Sequence, residues 1–158
     1  MPKDKLQVAT IFSGIGAAEF ALKRLNIPHD IVFACDNGEI DFVEDEDKMH
    51  AELREIKNLN DRKAYIRSKI PARKTNFVMK SYMANYDIDP DDYYFNVRFL
   101  EGNEYRNKVD LFVGGSPCQS FTLLGYQKGL EEARGTLFYE FARLVDEIQP
   151  KAFIYENV

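Results

Sequence analysis

An α/β fold built on a parallel sheet is predicted by three features of the sequence. A glycine turn joins the first apolar run to a helical segment, an acidic residue closes the second apolar run, and short apolar runs alternate with helical stretches thereafter. Leu6 to Ser13 reads as a buried strand. The turn Ser13-Gly14-Ile15-Gly16 then leads into a helix with Ala18, Ala21, Leu22 and Leu25 at i, i+3, i+4 and i+7, ending near Asn26 and Pro28. Ile31 to Cys35 reads as the second strand, and Asp36 follows it about 20 residues after the glycines, where Rossmann-like folds hold a ribose.

Three further strand candidates, Asn96 to Phe99, Asp110 to Val113 and Ala152 to Tyr155, bring the total to five. Parallel pairing is expected because helices or loops intervene. The helix from Leu137 to Ile148 places Leu137, Phe141, Leu144, Val145 and Ile148 on one face and stops at Pro150. It should pack on the sheet and return the chain to the last strand by a right-handed crossover.

Residues 44 to 74 interrupt this alternation. Glu44-Asp45-Glu46-Asp47 gives way to Lys57, Arg62, Lys63, Arg67, Lys69, Arg73 and Lys74, with Met49, Leu53 and Ile56 at helical spacing, so a helical insertion is expected. Acidic residues first and basic residues last suit a solvated helix through its dipole, and the same cations could form an arm contacting phosphate. Phe77, Val78, Tyr82 and Tyr86 indicate a further helix, followed by a turn at Asp89-Pro90.

With 158 residues, 45% of them hydrophobic, the chain can bury one core of ordinary domain size. The net charge of -5 has the wrong sign for a self-sufficient duplex-binding domain, whose grip comes from neutralising phosphates. No apolar run approaches the roughly 20 residues of a membrane span, and Met1-Pro2-Lys3-Asp4-Lys5 leads straight into a strand rather than a signal peptide. A soluble, cytoplasmic protein is the expectation. Cys35 and Cys118 have neither metal-ligand nor disulfide-framework spacing, Cys35 reads as a small buried apolar residue, and His29 and His50 read as isolated surface or loop residues. No metal site is expected.

The chemistry concentrates in four short segments: Phe12-Ser13-Gly14-Ile15-Gly16, Gly115-Ser116-Pro117-Cys118-Gln119-Ser120, Arg134-Gly135-Thr136-Leu137-Phe138 and Glu156-Asn157-Val158. A cysteine in a loop at the carboxyl edge of a parallel sheet, its approach fixed by proline, is placed to act as a nucleophile once its thiolate is stabilised. Together, and in this order, these segments resemble the DNA (cytosine-5) methyltransferase family, over the N-terminal part of its catalytic domain. The fold implied is the Rossmann-like S-adenosylmethionine-dependent methyltransferase fold, incomplete at its C-terminal side.

The resemblance implies that S-adenosylmethionine is held by Phe12, Ser13, Gly14, Ile15, Gly16, Asp36, Asn37, Asn96, Val97, Pro117 and Leu137, and leaves as S-adenosylhomocysteine. Asp36 stands where the family more often has glutamate at the ribose, with Glu39 in Asn37-Gly38-Glu39-Ile40-Asp41 the competing candidate. Asn96 stands where an aspartate commonly takes the adenine amino group, or is a plain strand-opening residue. Leu137 is a cofactor-pocket residue, a core residue or both. Cys118 is implied as the nucleophile at cytosine C6 and Glu156 as the acid at N3, with Pro117, Gln119, Ser120 and Asn157 contacting the base. A carboxyl group that keeps its proton near neutral pH must be shielded from water, so Glu156 is expected to be buried beside the base.

DNA is then the substrate. Family members continue past the Glu-Asn-Val segment into an Arg-x-Arg segment and a target-recognition domain, so residues 1 to 158 are expected to be a partial catalytic domain. A complementary C-terminal segment or subunit is the expected partner, in a prokaryotic or phage-borne system. The rival from another class is a noncatalytic module of the same fold that binds S-adenosylmethionine or a partner.

Overall fold

The computed structural model describes residues 5–116 and 134–156. Five strands, β1 (Leu6–Ile11), β2 (His29–Cys35), β3 (Tyr93–Tyr94), β4 (Leu111–Gly114) and β5 (Ala152–Tyr155), pair in parallel in the order β3-β2-β1-β4-β5. β1 is central because its residues Val8, Ala9, Thr10 and Ile11 tolerate burial on both faces, with the Thr10 hydroxyl hydrogen-bonded. The chain builds outward from β1 to β3 and then returns to the other side of β1 as β4. Strand order therefore reverses between β1 and β4, and a crevice opens there at the carboxyl ends.

Alternation along the strands sorts the core into two layers. Ala9, Ile11, Phe33, Cys35 and Phe112 meet α5 (Arg134–Ile148), which contributes Phe141, Leu144 and Ile148. The rings of Phe112 and Phe141 stack with centroids 5.0 Å apart. On the opposite face Ala34 and Tyr93 pack with Tyr82 of α4 (Phe77–Asn85). Arg143 ties α5 to the loop beside the crevice, donating to the carbonyls of Val97 and Leu100 (both 3.1 Å) while Glu140 and Glu147 hold its guanidinium.

Helix α1 (Ala17–Arg24) corrects one expectation. It buries Glu19 and Leu22, with Ala18 half-buried, and leaves Ala21 and Leu25 exposed. Glu19 turns inward because its Oε1 accepts from Thr10 Oγ1 (2.8 Å) and from the Tyr82 hydroxyl (2.6 Å), the latter a donor that would otherwise be buried unpaired. Burial, and after it the facing carboxylate, push the Tyr82 hydroxyl far above its usual range, so it remains a donor.

Asn96 to Phe99 is also not a strand. Asn96 Oδ1 accepts the Arg98 N–H (3.0 Å) and caps a 3₁₀ turn, Val97–Phe99. The strand lies just before it, at Tyr93–Tyr94. β1 stops at Ile11 rather than Ser13 because Phe12 leaves the extended region.

Residues 44 to 74 contain α2 (Glu46–Glu55) and α3 (Leu59–Ser68), whose Met49, Leu53, Tyr65 and Ile66 gather around Phe99. Acids of neighbouring segments occupy Arg62, Lys63, Arg67 and Lys69, which pair with Glu101, Asp92, Asp91 and Glu44. The first three pairings pin the insertion to the domain, whereas Lys57, Arg73 and Lys74 are exposed. His50 is half-buried on α2 and stacks on Phe99 (4.4 Å), and His29 opens β2, so both histidines sit in regular elements rather than loops. Among the described residues no helix is long and apolar enough to cross a membrane.

Candidate functional site

The carboxyl ends of the strands open on a cavity of about 760 Å³. Phe12, just past β1, lines it with φ +52°, a left-handed conformation that a bulky side chain seldom adopts and that marks the turn as held by its surroundings. What holds it is β2: the Ser13 N–H donates to the Cys35 carbonyl (3.1 Å), and Ser13 Oγ accepts the Cys35 N–H (3.0 Å).

Asp36 links the two loops that frame the cavity. Its Oδ2 accepts the Gly14 N–H (2.9 Å) and its Oδ1 the Gly38 N–H (2.8 Å), leaving further lone pairs for a ligand hydroxyl. Asn76 steadies the same loop, donating from Nδ2 to the Asp36 carbonyl (3.0 Å). Glu39 is exposed on the cavity wall, so Asp36 and Glu39 are both within the site.

Of the sequence-predicted cofactor residues, Phe12, Asp36, Asn37, Asn96, Val97 and Leu137 line the cavity together. Ser13, Gly14, Ile15 and Gly16 do not. Ser13 staples the turn to β2, Gly14 donates to Asp36, Ile15 points to solvent at 67% exposure, and Gly16 lies against Tyr86, whose hydroxyl donates to its carbonyl (2.6 Å). Leu137 is both a cavity wall and a neighbour of the α5 core.

At the end of β4, Gly115 lines the cavity, and a Cβ there would lie 2.7 Å from Glu156 Oε2. Glycine at this position lets Glu156 sit against the β4 exit, where its N–H donates to the Gly114 carbonyl (2.9 Å). Ser116 is buried and its hydroxyl pairs with that of Tyr155 (2.6 Å), joining the start of the next loop to β5. Glu156 itself is exposed rather than buried, because β5 is an edge strand with nothing described beyond it. Pro117, Cys118, Gln119, Ser120 and Asn157 lie outside the described residues.

The cavity residues that escape sequence reasoning include Asp41, Glu46, Val78, Phe95 and Arg98. Glu46 and Arg98 form an ion pair across 52 residues of sequence, for which no local pattern gives a signal. Apolar walls from Phe12, Phe95, Val97 and Leu137 suit a flat ring, and acceptors on Asp36, Glu39 and Glu46 suit hydroxyl and amino donors. Gly14, at φ +54°, has nothing within 4 Å of where a Cβ would stand, so its backbone is open to close approach. The residues present therefore fit an S-adenosyl group.

Cys35 also borders the cavity but is 2% exposed, and burial, then the Asp36 carboxylate, push its thiol well above the usual range. A neutral thiol is a poor nucleophile. Cys35 is therefore expected to stay unmodified by a thiol reagent at pH 8 until the chain is denatured, as peptide mapping would show. Rapid labelling of Cys35 in the folded chain would contradict that burial.

Comparison with known proteins places this geometry in a family. The model for the C-5 cytosine-specific DNA methylase family matches residues 70–158. The orphan methyltransferase M.SPRI of Bacillus phage SPR is 32% identical over 98% of this chain, which spans 26% of that protein. The type II methyltransferase M.Eco47II of Escherichia coli is 56% identical over 40% of the chain and 15% of its own length. Among solved structures, S. pombe Dnmt2 methyltransferase aligns over 98% of this chain and 36% of its own, with a TM-score of 0.53 at 20% identity, a likeness of fold. The chain thus spans about a quarter of the length of the phage relative. The family match, the relatives and the parallel sheet agree: the chain belongs to the C-5 cytosine-specific DNA methylase family.

Proposed function

We propose that residues 1 to 158 are the cofactor-binding and catalytic part of an enzyme that methylates C5 of cytosine in DNA through an adduct to Cys118. One observation carries this reading. The cavity at the strand ends is bordered on one side by Phe12, Asp36 and Asn96, and on the other by Gly115, which packs on Glu156 and precedes Cys118 by three positions.

When bound, S-adenosylmethionine supplies an electrophilic methyl group at this edge. Asp36 or Glu39 accepts from the ribose hydroxyls, and Phe12, Val97 and Leu137 flank the purine. The Cys118 thiolate forms a bond to C6 of cytosine, which makes C5 enamine-like, while Glu156 donates a proton or hydrogen bond at N3 and so neutralises the charge that addition would build on the ring. After C5 is methylated, loss of its proton expels Cys118 and restores the C5–C6 double bond. Glu156 is exposed, so on this reading it is the flipped base that covers it. The cytosine must leave the duplex stack to reach these groups.

DNA recognition is assigned to residues beyond these 158, in a complementary methyltransferase segment or subunit. This rests on the net charge of -5, the pairing of Arg62, Lys63, Arg67 and Lys69 and the share of the relatives that the chain spans. Phe153 and Ile154 on β5, exposed at 56% and 54%, offer an apolar edge for that partner.

Titration calorimetry tests the cofactor reading. Asp36, Glu39, Asp41 and Glu46 line the cavity and Arg98 is already paired, so the sulfonium cofactor should bind more tightly than its uncharged thioether product. That advantage should shrink as salt rises from about 20 mM to about 300 mM, because screening weakens the carboxylates' attraction. The Asp36→Ala variant should lose about 10-fold or more in affinity for both ligands through its lost hydrogen bonds and loosened loops. A folded chain that gives no saturable heat with either ligand would refute the reading.

A further inference from the structure

We propose that Glu46, the first residue of the inserted helix α2, is the acceptor that selects an adenine ring by its exocyclic amino group. The inference rests on reading the cavity as the S-adenosyl site. Asn96 is the obvious candidate for this role, but its side chain is committed elsewhere. Its Oδ1 accepts the Arg98 N–H (3.0 Å) to cap the 3₁₀ turn, and its Nδ2, a donor, points toward Glu46 Oε1 (3.3 Å). An incoming amino group therefore meets a donor and a partly used carbonyl at Asn96.

Glu46 offers the opposite. Its Oε2 takes the Arg98 guanidinium and its Oε1 the Asn96 amide, which uses about two of the four or so acceptor positions of a carboxylate. Both residues fix the carboxylate in place without exhausting it, and Glu46 lines the cavity beside Phe95, Asn96, Val97 and Val78. Its position at the start of α2, which Asp45 caps by accepting the Lys48 N–H (3.0 Å), sets its carboxylate in the favourable field of the helix N-terminus. Met49 and Leu53 then clamp α2 onto Phe99, the last residue of the turn that Asn96 caps. The insertion thus holds a charged acceptor at a fixed offset from the ring-binding wall, which gives these extra residues a role in cofactor choice.

The test titrates the 158-residue chain with S-adenosylhomocysteine and with its analogue lacking the purine 6-amino group. The native chain is expected to favour the amino compound by ~10- to 100-fold, the range of a hydrogen bond to a charged acceptor. Glu46→Ala should bind both compounds alike, at about the native affinity for the analogue. Glu46→Gln, which keeps the side chain's size and a neutral acceptor, should retain an intermediate preference and serves where the alanine variant does not fold. Asn96→Ala should keep a preference for the amino compound. Full preference in folded Glu46→Ala or Glu46→Gln, or its loss in Asn96→Ala alone, would overturn the assignment while leaving the cofactor reading intact. Failure of the native chain to bind either compound would remove both.

Discussion

Replacing Cys118 by serine is expected to lower methyl transfer by on the order of 10⁴-fold or more in an assay where the complementary segment is supplied, because the proposed addition to C6 needs a thiolate. A serine hydroxyl ionises far less readily than a thiol, and Cys35 is buried with its thiol held neutral. The two described residues that follow β4 are held in place: Ser116 pairs with Tyr155, and Gly115 packs on Glu156. Cofactor affinity of the serine variant should stay within about twofold of native, which separates lost chemistry from lost folding.

Gly16→Ala is expected to be almost as damaging, by a different route. Gly16 sits at φ +85°, and a Cβ there would overlap the Tyr86 ring. The ring is fixed in turn, since its hydroxyl donates to the Gly16 carbonyl and it packs on Tyr82 (4.8 Å). Backbone strain and the overlap together should cost about 2–4 kcal/mol. The turn that would shift carries Phe12 and the Gly14 N–H that meets Asp36, so S-adenosylhomocysteine affinity should fall with stability. Thermal melting and calorimetry on the same sample check both. A variant that melts like the native chain would show that Tyr86 yields.

The sheet was legible because its strands are short apolar runs separated by helical spacing or turn residues, and the glycine turn because a strand-to-helix reversal at this tightness uses glycine. Four kinds of detail were not legible, each for a physical reason. Val97 and Phe99 are buried alternately with Arg98 in a 3₁₀ turn as they would be in a strand, so only the cap at Asn96 carried the distinction. Helix α1 turns a glutamate inward for the sake of Tyr82, a partner 63 residues away. Arg62, Lys63, Arg67 and Lys69 of the insertion look free in sequence and find acids 24 to 39 residues along the chain or back at Glu44. Glu46 reads as part of an acidic helix cap until Arg98 and Asn96 bring it to the cavity.

In the site itself, the sequence pointed to Phe12, Asp36 and Asn96, and all three line the cavity. Ser13 and Gly16 serve the turn instead, Ser13 through its hydroxyl on β2 and Gly16 through its backbone against Tyr86. Motif spacing marks a turn as important without saying which of its atoms meets the ligand.

Covalent trapping tests the central claim most directly. The chain, completed with a downstream methyltransferase segment, is incubated with S-adenosylmethionine and DNA carrying 5-fluorocytosine at the target, where fluorine blocks the final proton loss. Peptide mapping should locate one DNA adduct, on the peptide containing Cys118, with none formed by Cys118→Ser and slower formation by Glu156→Gln. An adduct of undiminished yield in Cys118→Ser, or one mapped to another residue, would contradict the account.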